Sequence, residues 1–431
     1  MEDWPYRLVA FTGFFTIAFV AWLTGRRGSL NWNTVIGSVV VAWSLGVVTF
    51  WFPGSRWVLG RLNDIVVATL TASQKGSLFL FGPLAIGPGQ VLPDGTPSVG
   101  FILAMQALPA VVFFAALTAG LYYLGIMQAI VRLFARLFYR SMGLSGAESL
   151  SGAANIFVGI EGALVVRPYL AAMTSSELLL VLTCMMATVA STVLGIYVAA
   201  LQHVVPQIAG HLISASVISI PCAVLVSKLS LPEHEVPITR GTIPSESANK
   251  GTDDVTTPSN LIVALIEGAT QGVKMAVGIA ALLIVFLGLE ALVDLALAML
   301  PSVKGSMLSV TRILAWLTWP FTVLLGLRPD EWQIGAELLG ARFVETEVTA
   351  YFKLAAVQSL SPPPLSLRSV TAMTYALCGF VHVPSMGIFV GGLAALVPHR
   401  TRDLSLLGLR ALWTAFLATL LNGCIAAVLA S

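Results

Sequence analysis

Ionisable side chains are scarce in this chain, and the few that interrupt its apolar runs are the ones with chemistry to offer. Glu161 and Glu347 each stand near the middle of a stretch rich in small residues, SLSGAANIFVGIEGALVVRPYL from Ser149 to Leu170 and WQIGAELLGARFVETEVTAYFKL from Trp332 to Leu354. A charge held centrally in a bilayer costs about 2.5–3.5 kcal/mol, so it needs a partner, water or a function. Two such carboxylates brought together could grip a hydroxyl-rich ligand through charge-assisted hydrogen bonds, about twice as strong as neutral ones. His382 lies in CGFVHVPSM, residues 378–386, where Gly379 and Pro384 interrupt an apolar run. A helix broken there exposes free backbone groups and helix ends to a ligand or ion. Thr188, within MATVAS at 186–191, offers a hydroxyl either to an ion or to the preceding turn of its own helix. Arg167, followed by Pro168, reads as a helix end anchored at the membrane interface. No HExxH, GxSxG, phosphate-binding loop or Cys/His metal spacing is present, so the chain is not read as an enzyme. An intramembrane hydrolase built from Glu347, His382 and Ser385 would lack an exposed turn for the serine and an oxyanion hole.

The elements that must position these groups follow from composition. Of 431 residues, 57% are hydrophobic and 10% charged, and mean hydropathy is +0.89. A soluble domain carries roughly 25% charged residues, so a cytosolic enzyme, a disordered chain and a disulfide scaffold are excluded. A net charge of +2 gives no footprint for nucleic acid. Cys184, Cys222, Cys378 and Cys424 sit in apolar runs and read as small buried hydrophobes. Crossing a bilayer takes about 20 apolar residues, and eight segments qualify: Leu8–Leu23, Thr34–Phe52, Val99–Leu124, Leu178–Leu201, Ile208–Val226, Leu261–Met299, Val370–Leu396 and Leu406–Leu429. The sixth carries Glu267, Lys274, Glu290 and Asp294. The first follows an acidic N-terminus and reads as a span rather than a cleaved signal.

Ser149–Leu170 and Trp332–Leu354 are too broken for ordinary spans and suit re-entrant helical hairpins, whose tips must be buried in protein or line a cavity. Each is followed by two spans and preceded by an amphipathic basic segment, Ile130–Arg140 and Val310–Leu327. The expected fold is therefore an all-α polytopic membrane protein of eight transmembrane helices and two re-entrant hairpins in an inverted repeat, with the site at the repeat interface. Residues 1–126 supply the first scaffold helices, with Trp57–Leu80 as an interfacial helix. Residues 127–230 form the first transport repeat, 231–260 a flexible linker, 261–300 a sixth, scaffold helix, and 306–431 the second transport repeat. Arg26, Arg27, Arg132, Arg136, Arg140, Arg400, Arg402 and Arg410 fall on one side, expected to be cytoplasmic by the positive-inside rule.

The chain resembles a concentrative nucleoside transporter from about Asn31 to its end. The matching stretches are LYYLGIMQ at 121–128, GAESLSGAANIFVG at 146–159, VRPYL at 166–170, Ala350-Tyr351 after Glu347, TYALCGF at 374–380, and GGLAALVPHRTRDLSLLGLRAL from Gly391. The resemblance implies a homotrimer in the inner (cytoplasmic) membrane, surrounded by lipid. Each subunit would have a scaffold and a moving transport domain with its own nucleoside site, driven by an inward cation gradient, usually sodium, without another cofactor. The family's first hairpin carries G-Q-[S/T]-E-A-P; here Gly159-Ile160-Glu161-Gly162-Ala163 keeps the glutamate, replaces the amide with Ile160 and is one residue shorter. The second hairpin resembles N-E-F-V-A-Y and retains the ribose-binding glutamate as Glu347. F-A-N-x-S-S corresponds to Phe380-Val381-His382-Val383-Pro384-Ser385, with His382 in place of the ribose-binding asparagine. Asn155, Val158, Thr188 and Val189 match the sodium positions. The implied substrate site is thus Glu161, Ile160, Glu347, His382 and Ser385, with ribose recognition kept and base recognition altered. A proton-coupled carrier of another polar metabolite on the same fold, or a non-transporting membrane sensor, are the alternatives.

Overall fold

In hydrocarbon only internally bonded backbone is tolerated, and the apolar runs are helical in the computed structural model. It describes every residue except 1–2, 88, 94, 160–161, 163–164, 243–257, 302–306 and 431. Helices α1 (Trp4–Leu23), α2 (Trp32–Trp51) and α3 (Pro53–Phe81) open the chain, and a short α4 (Leu103–Gln106) leads into α5 (Leu108–Tyr123). Next come α6 (Ile126–Met142), α7 (Gly146–Asn155), α8 (Arg167–Leu170), α9 (Ser175–Ala187), α10 (Leu194–Leu201) and α11 (Ile208–Ser230). The second half holds α12 (Leu261–Leu297), α13 (Val310–Leu324), α14 (Trp332–Val344), α15 (Glu347–Gln358), α16 (Leu367–Ala376), α17 (Val383–Leu396) and α18 (Thr401–Leu429).

The order amphipathic helix, pair of short helices, broken helix, long helix occurs twice: α6, α7–α8, α9–α10, α11, then α13, α14–α15, α16–α17, α18. Helix α6 buries Met127, Val131, Ala135, Phe138 and Met142, a single helical face, and leaves its arginines outside. At the outer end of each unit a buried carboxylate ties hairpin to broken helix. In the first, the Ser145 hydroxyl that caps α7 also donates to Glu177 Oε1 of α9 at 2.6 Å. In the second, Ser366 N and Ser369 Oγ donate to the Glu331 carboxylate at 2.6 and 2.5 Å, binding the start of α14 to that of α16. Lys228 on α11 closes the first pole through Glu148 at 2.5 Å.

Helices α11 and α18 are buried over 89% of their most apolar windows, whereas α12 is buried over 11%. Helix α12 packs chiefly on α5, while α1 and α2, which sequence reasoning places with the scaffold, lie along α18 and α11. Large apolar residues face outward on α1 (Phe11, Phe15, Phe19) and α12 (Ile262, Ile266, Val277, Ile284), as lipid contact requires. At 37 residues α12 is about 55 Å long, so it must tilt within, or extend beyond, a core of about 30 Å.

Three expectations change in detail. Trp57–Leu80, expected at the interface, belongs to the 29-residue α3, which by length and composition could itself cross a membrane. The fourth expected span is broken between α9 and α10, as the seventh is between α16 and α17. The linker from Leu231 is docked at its start: Thr239 accepts from Gly146 N and Ala147 N at 3.1 Å, supplying partners to the orphan amides of α7.

Candidate functional site

Two breaks and one hairpin tip build the site. Helix α9 stops at Ala187 because Thr188-Val189-Ala190-Ser191-Thr192-Val193 combines β-branched and hydroxyl residues that disfavour helix. Helix α16 stops before Gly379, where the two breaks cross. A Cβ at Gly379 would lie 2.8 Å from Met186 O and 2.9 Å from Thr419 Cγ2, so only glycine admits the approach. The chain restarts at α17 with His382 as N-cap, its Nδ1 accepting from Ser385 N at 3.2 Å. The Ser385 hydroxyl donates to the carbonyls of Phe380 and His382. The tip of the second hairpin is Glu345-Thr346, and Thr346 holds φ at +115°, a rare conformation for a β-branched residue. That turn sets Glu347 at the first position of α15.

Glu347 is 3% exposed, so every contact it makes is with protein or cavity. Tyr197 OH, from α10, donates to Oε1 at 2.8 Å. His382 Nε2 stands 2.8 Å from Oε2 but off the N–H axis, and neither atom has an aligned hydrogen-bond partner among the described residues. Because Nδ1 already accepts a backbone N–H, the neutral imidazole carries its proton on Nε2, facing the carboxylate. The positive ends of α15 and α17 converge on the same carboxylate. A cavity of about 310 Å³ opens there, within the range of small-molecule sites, roughly 300–1,000 Å³. Glu347, His382, Ser385 and Tyr197 line it, as do residues of α12. A ligand hydroxyl can therefore donate to Oε2 and accept from Nε2, using capacity the protein leaves open.

Sequence reasoning brings Glu347, His382 and Ser385 to this cavity, and the structure places all three on its wall. Glu345, two residues before Glu347, is also buried and is paired with Lys353. Gly159 reaches the cavity, while Ile160 and Glu161 lie outside the described residues. Tyr197 was not singled out in the sequence; a lone tyrosine in an apolar run carries no positional signal. Of the residues matching sodium positions, Asn155 is fully buried and its Oδ1 has no hydrogen-bond partner among the described residues, while its Nδ2 donates to Ser151 O at 2.9 Å. Thr188 Oγ donates to Cys184 O at 3.0 Å, which leaves its lone pairs free. Ser191 N donates to Phe157 O at 2.9 Å and holds the Asn155–Val158 segment against the Thr188–Val189 break. These oxygens suit a hard monovalent cation.

Three family models cover the chain: Na+ dependent nucleoside transporter N-terminus over residues 12–84, nucleoside recognition over 104–203, and Na+ dependent nucleoside transporter C-terminus over 211–427. An uncharacterized transporter of Haemophilus influenzae is 32% identical, covering 95% of this chain and 94% of that protein. The nucleoside permease NupC of Helicobacter pylori is 32% identical over 97% of both. Rat sodium/nucleoside cotransporter 1 is 36% identical over 99% of this chain, which spans 64% of the rat protein's length. Among solved structures, CNTnw in an inward-facing substrate-bound state matches with a TM-score of 0.88 at 32% identity over 98% of each chain. An outward-facing state of CNTnw matches with a TM-score of 0.86. These relatives are transporters, which sets aside the intramembrane hydrolase. Matched along its length in sequence and in fold, the chain belongs to the Na+-dependent, or concentrative, nucleoside transporter family.

Proposed function

We propose that this protein carries nucleosides into the cell across the cytoplasmic membrane, driven by the inward movement of sodium. The observation that carries the reading is the Glu347–His382 pair, buried in a cavity at the crossing of two broken helices with one open oxygen and one open N–H. In it the ribose hydroxyls bind Glu347, His382 and Ser385, the base lies beyond them toward Ile160 and Glu161, and sodium binds among Asn155, Val158, Thr188 and Val189. The two transport repeats move as one body past a scaffold that includes α5 and α12, in an elevator motion, and three copies associate. Support for the motion comes from α12, which packs mainly on α5 and little on the bundle.

The test is uptake of labelled uridine and inosine into proteoliposomes under an inward sodium gradient, an inward proton gradient, or neither. Accumulation with sodium alone supports the reading. Accumulation with protons alone moves the coupling role to the His382–Glu347 pair, and absence of exchange for every nucleoside by folded protein overturns nucleoside transport.

A further inference from the structure

Burying an ion is costly, and a well-packed apolar side chain of similar volume often serves stability as well or better. Arg342 of α14 is nonetheless fully buried. Its Nε has no hydrogen-bond partner among the described residues, so the guanidinium is not even fully satisfied. What it does hold is the end of α16. That end closes with Leu377 N on Met373 O at 2.8 Å and Cys378 N on Tyr375 O at 3.2 Å. The carbonyls of Thr374 and Ala376 accept from the α14–α15 pair: Tyr351 OH donates to Thr374 O at 2.9 Å, and Arg342 Nη1 to Ala376 O at 2.5 Å. Arg342 Nη2 adds a bond to Thr419 Oγ on α18 at 3.2 Å. The two donors flank Glu347 in the chain, Arg342 five residues before it and Tyr351 four after. The two acceptors lie just ahead of the break that leads to His382. Tyr351 also packs on Tyr197, ring centroids 5.0 Å apart, and Tyr197 OH bonds Glu347 Oε1. The 2.8 Å between Glu347 Oε2 and His382 Nε2 is thus spanned by a closed loop of contacts, of which Arg342 supplies the charged member.

We propose that Arg342 is a positioning residue for substrate: by fixing the end of α16 to α14, it sets the spacing of Glu347 and His382 at which the ligand hydroxyls bind. A guanidinium suits the task. Its planar fork reaches two acceptors at once and keeps its charge at any physiological pH, and the carbonyl end of a helix is the negative pole of its dipole. Arg342 acts through the pair rather than on the ligand, since it is fully buried and its bonds are to protein. The inference rests on the nucleoside reading above and adds the residue that holds that site in register.

The experiment measures equilibrium binding of uridine to the full chain in detergent with sodium, beside the melting temperature. The proteins compared are the parent, Arg342→Met, Arg342→Lys, Glu347→Gln and the double variant of Arg342→Met with Glu347→Gln. Arg342→Met fills the space without the fork, and should fold while weakening uridine by about tenfold. Arg342→Lys should recover part of that loss, because an ammonium is a point charge and lacks the fork that holds both acceptors. In the Glu347→Gln background the methionine substitution should cost less than about twofold, because the charge whose place it sets is gone. A merely structural role predicts the same loss in both backgrounds, and that result overturns the proposal. So does unchanged uridine affinity in the folded Arg342→Met protein. Should the methionine variant not fold, Arg342→Lys goes through the same cycle, its loss again expected only beside an intact Glu347. If the folded parent binds no nucleoside, the functional reading fails and this inference with it; if it binds uridine and the two substitutions act additively, only the inference falls.

Discussion

At the scale of single residues, the decisive feature is a buried carboxylate whose two oxygens have different tasks. Oε1 is held by Tyr197 and fixes the orientation, while Oε2 faces His382 and the cavity. Glu347→Gln keeps the shape but removes the charge from every hydrogen bond a sugar hydroxyl makes there. Such bonds are worth about 1.5–3 kcal/mol, so nucleoside affinity should fall roughly tenfold to a hundredfold, measured by calorimetry at fixed sodium. Tyr197→Phe should cost less, because Oε2 is untouched, and should act by loosening the carboxylate. Equal binding by parent and Gln variants would remove Glu347 from the site. His382 adds a second expectation: its Nδ1 accepts from Ser385 N at the start of α17 and its Nε2 stands beside Oε2, so His382→Ala should weaken nucleoside binding by about tenfold, and equal binding by the variant would remove His382 from the site. The types and surroundings of Glu347, His382 and Ser385 made them legible in the sequence. Tyr197 was not, because its role depends on α10 restarting beside the second hairpin, a contact 150 residues away in the chain.

At the scale of elements, hydropathy was enough to find the long helices, since a run of apolar residues in a bilayer has little alternative to helix. Gly379 and Pro384 likewise announced the break between α16 and α17. The break between α9 and α10 carries no glycine or proline between Thr188 and Val193. It depends on weak local preferences that become decisive only where the second break packs across it. That crossing gives a sharp expectation. The atoms facing Gly379 include the carbonyl of Met186 and the backbone of Ala187, which cannot rotate away as a side chain could. Gly379→Ala should destabilise the protein by about 1–3 kcal/mol, the usual cost of overpacking. It should weaken nucleoside binding as well, since α17 carries His382. A melting temperature and affinity equal to the parent's would mean that the two breaks do not meet there. Arg342 on α14 holds the same region from another side. It is fully buried, donates to Ala376 O at 2.5 Å and to Thr419 Oγ at 3.2 Å, and stacks on Phe416. A fixed cation thus sits on the carbonyl end of α16, where the helix dipole is negative. It lies within the Trp332–Leu354 stretch, where its residue type alone did not single it out.

At the scale of the whole molecule, transport requires that cation and substrate be felt by one another, and the fold offers a route. The Asn155–Val158 segment is bound to the α9–α10 break through Ser191 N and Phe157 O, and α10 carries the tyrosine that orients Glu347. A cation drawn to the unpartnered Oδ1 of Asn155 and the hydroxyl of Thr188 would therefore stiffen the element that positions the substrate carboxylate. Coupling of this kind is reciprocal: if sodium raises nucleoside affinity by some factor, nucleoside raises sodium affinity by the same factor. Thr188→Val is nearly isosteric and deletes one oxygen from the set, and the bond it also loses, to Cys184 O, is a helix back-bond of little consequence. Three outcomes should appear together in the variant. Half-maximal uptake should require several-fold more sodium, nucleoside affinity at low sodium should fall, and at saturating sodium it should return to the parent value. The last outcome separates loss of an ion ligand from damage to the nucleoside site, because a damaged site would not recover however much sodium is supplied. Lithium or choline in place of sodium should leave parent and variant indistinguishable if neither ion fills the site. Identical sodium dependence in the two proteins would show that Thr188 holds no ion, and that the open oxygen of Asn155 serves the hairpin alone.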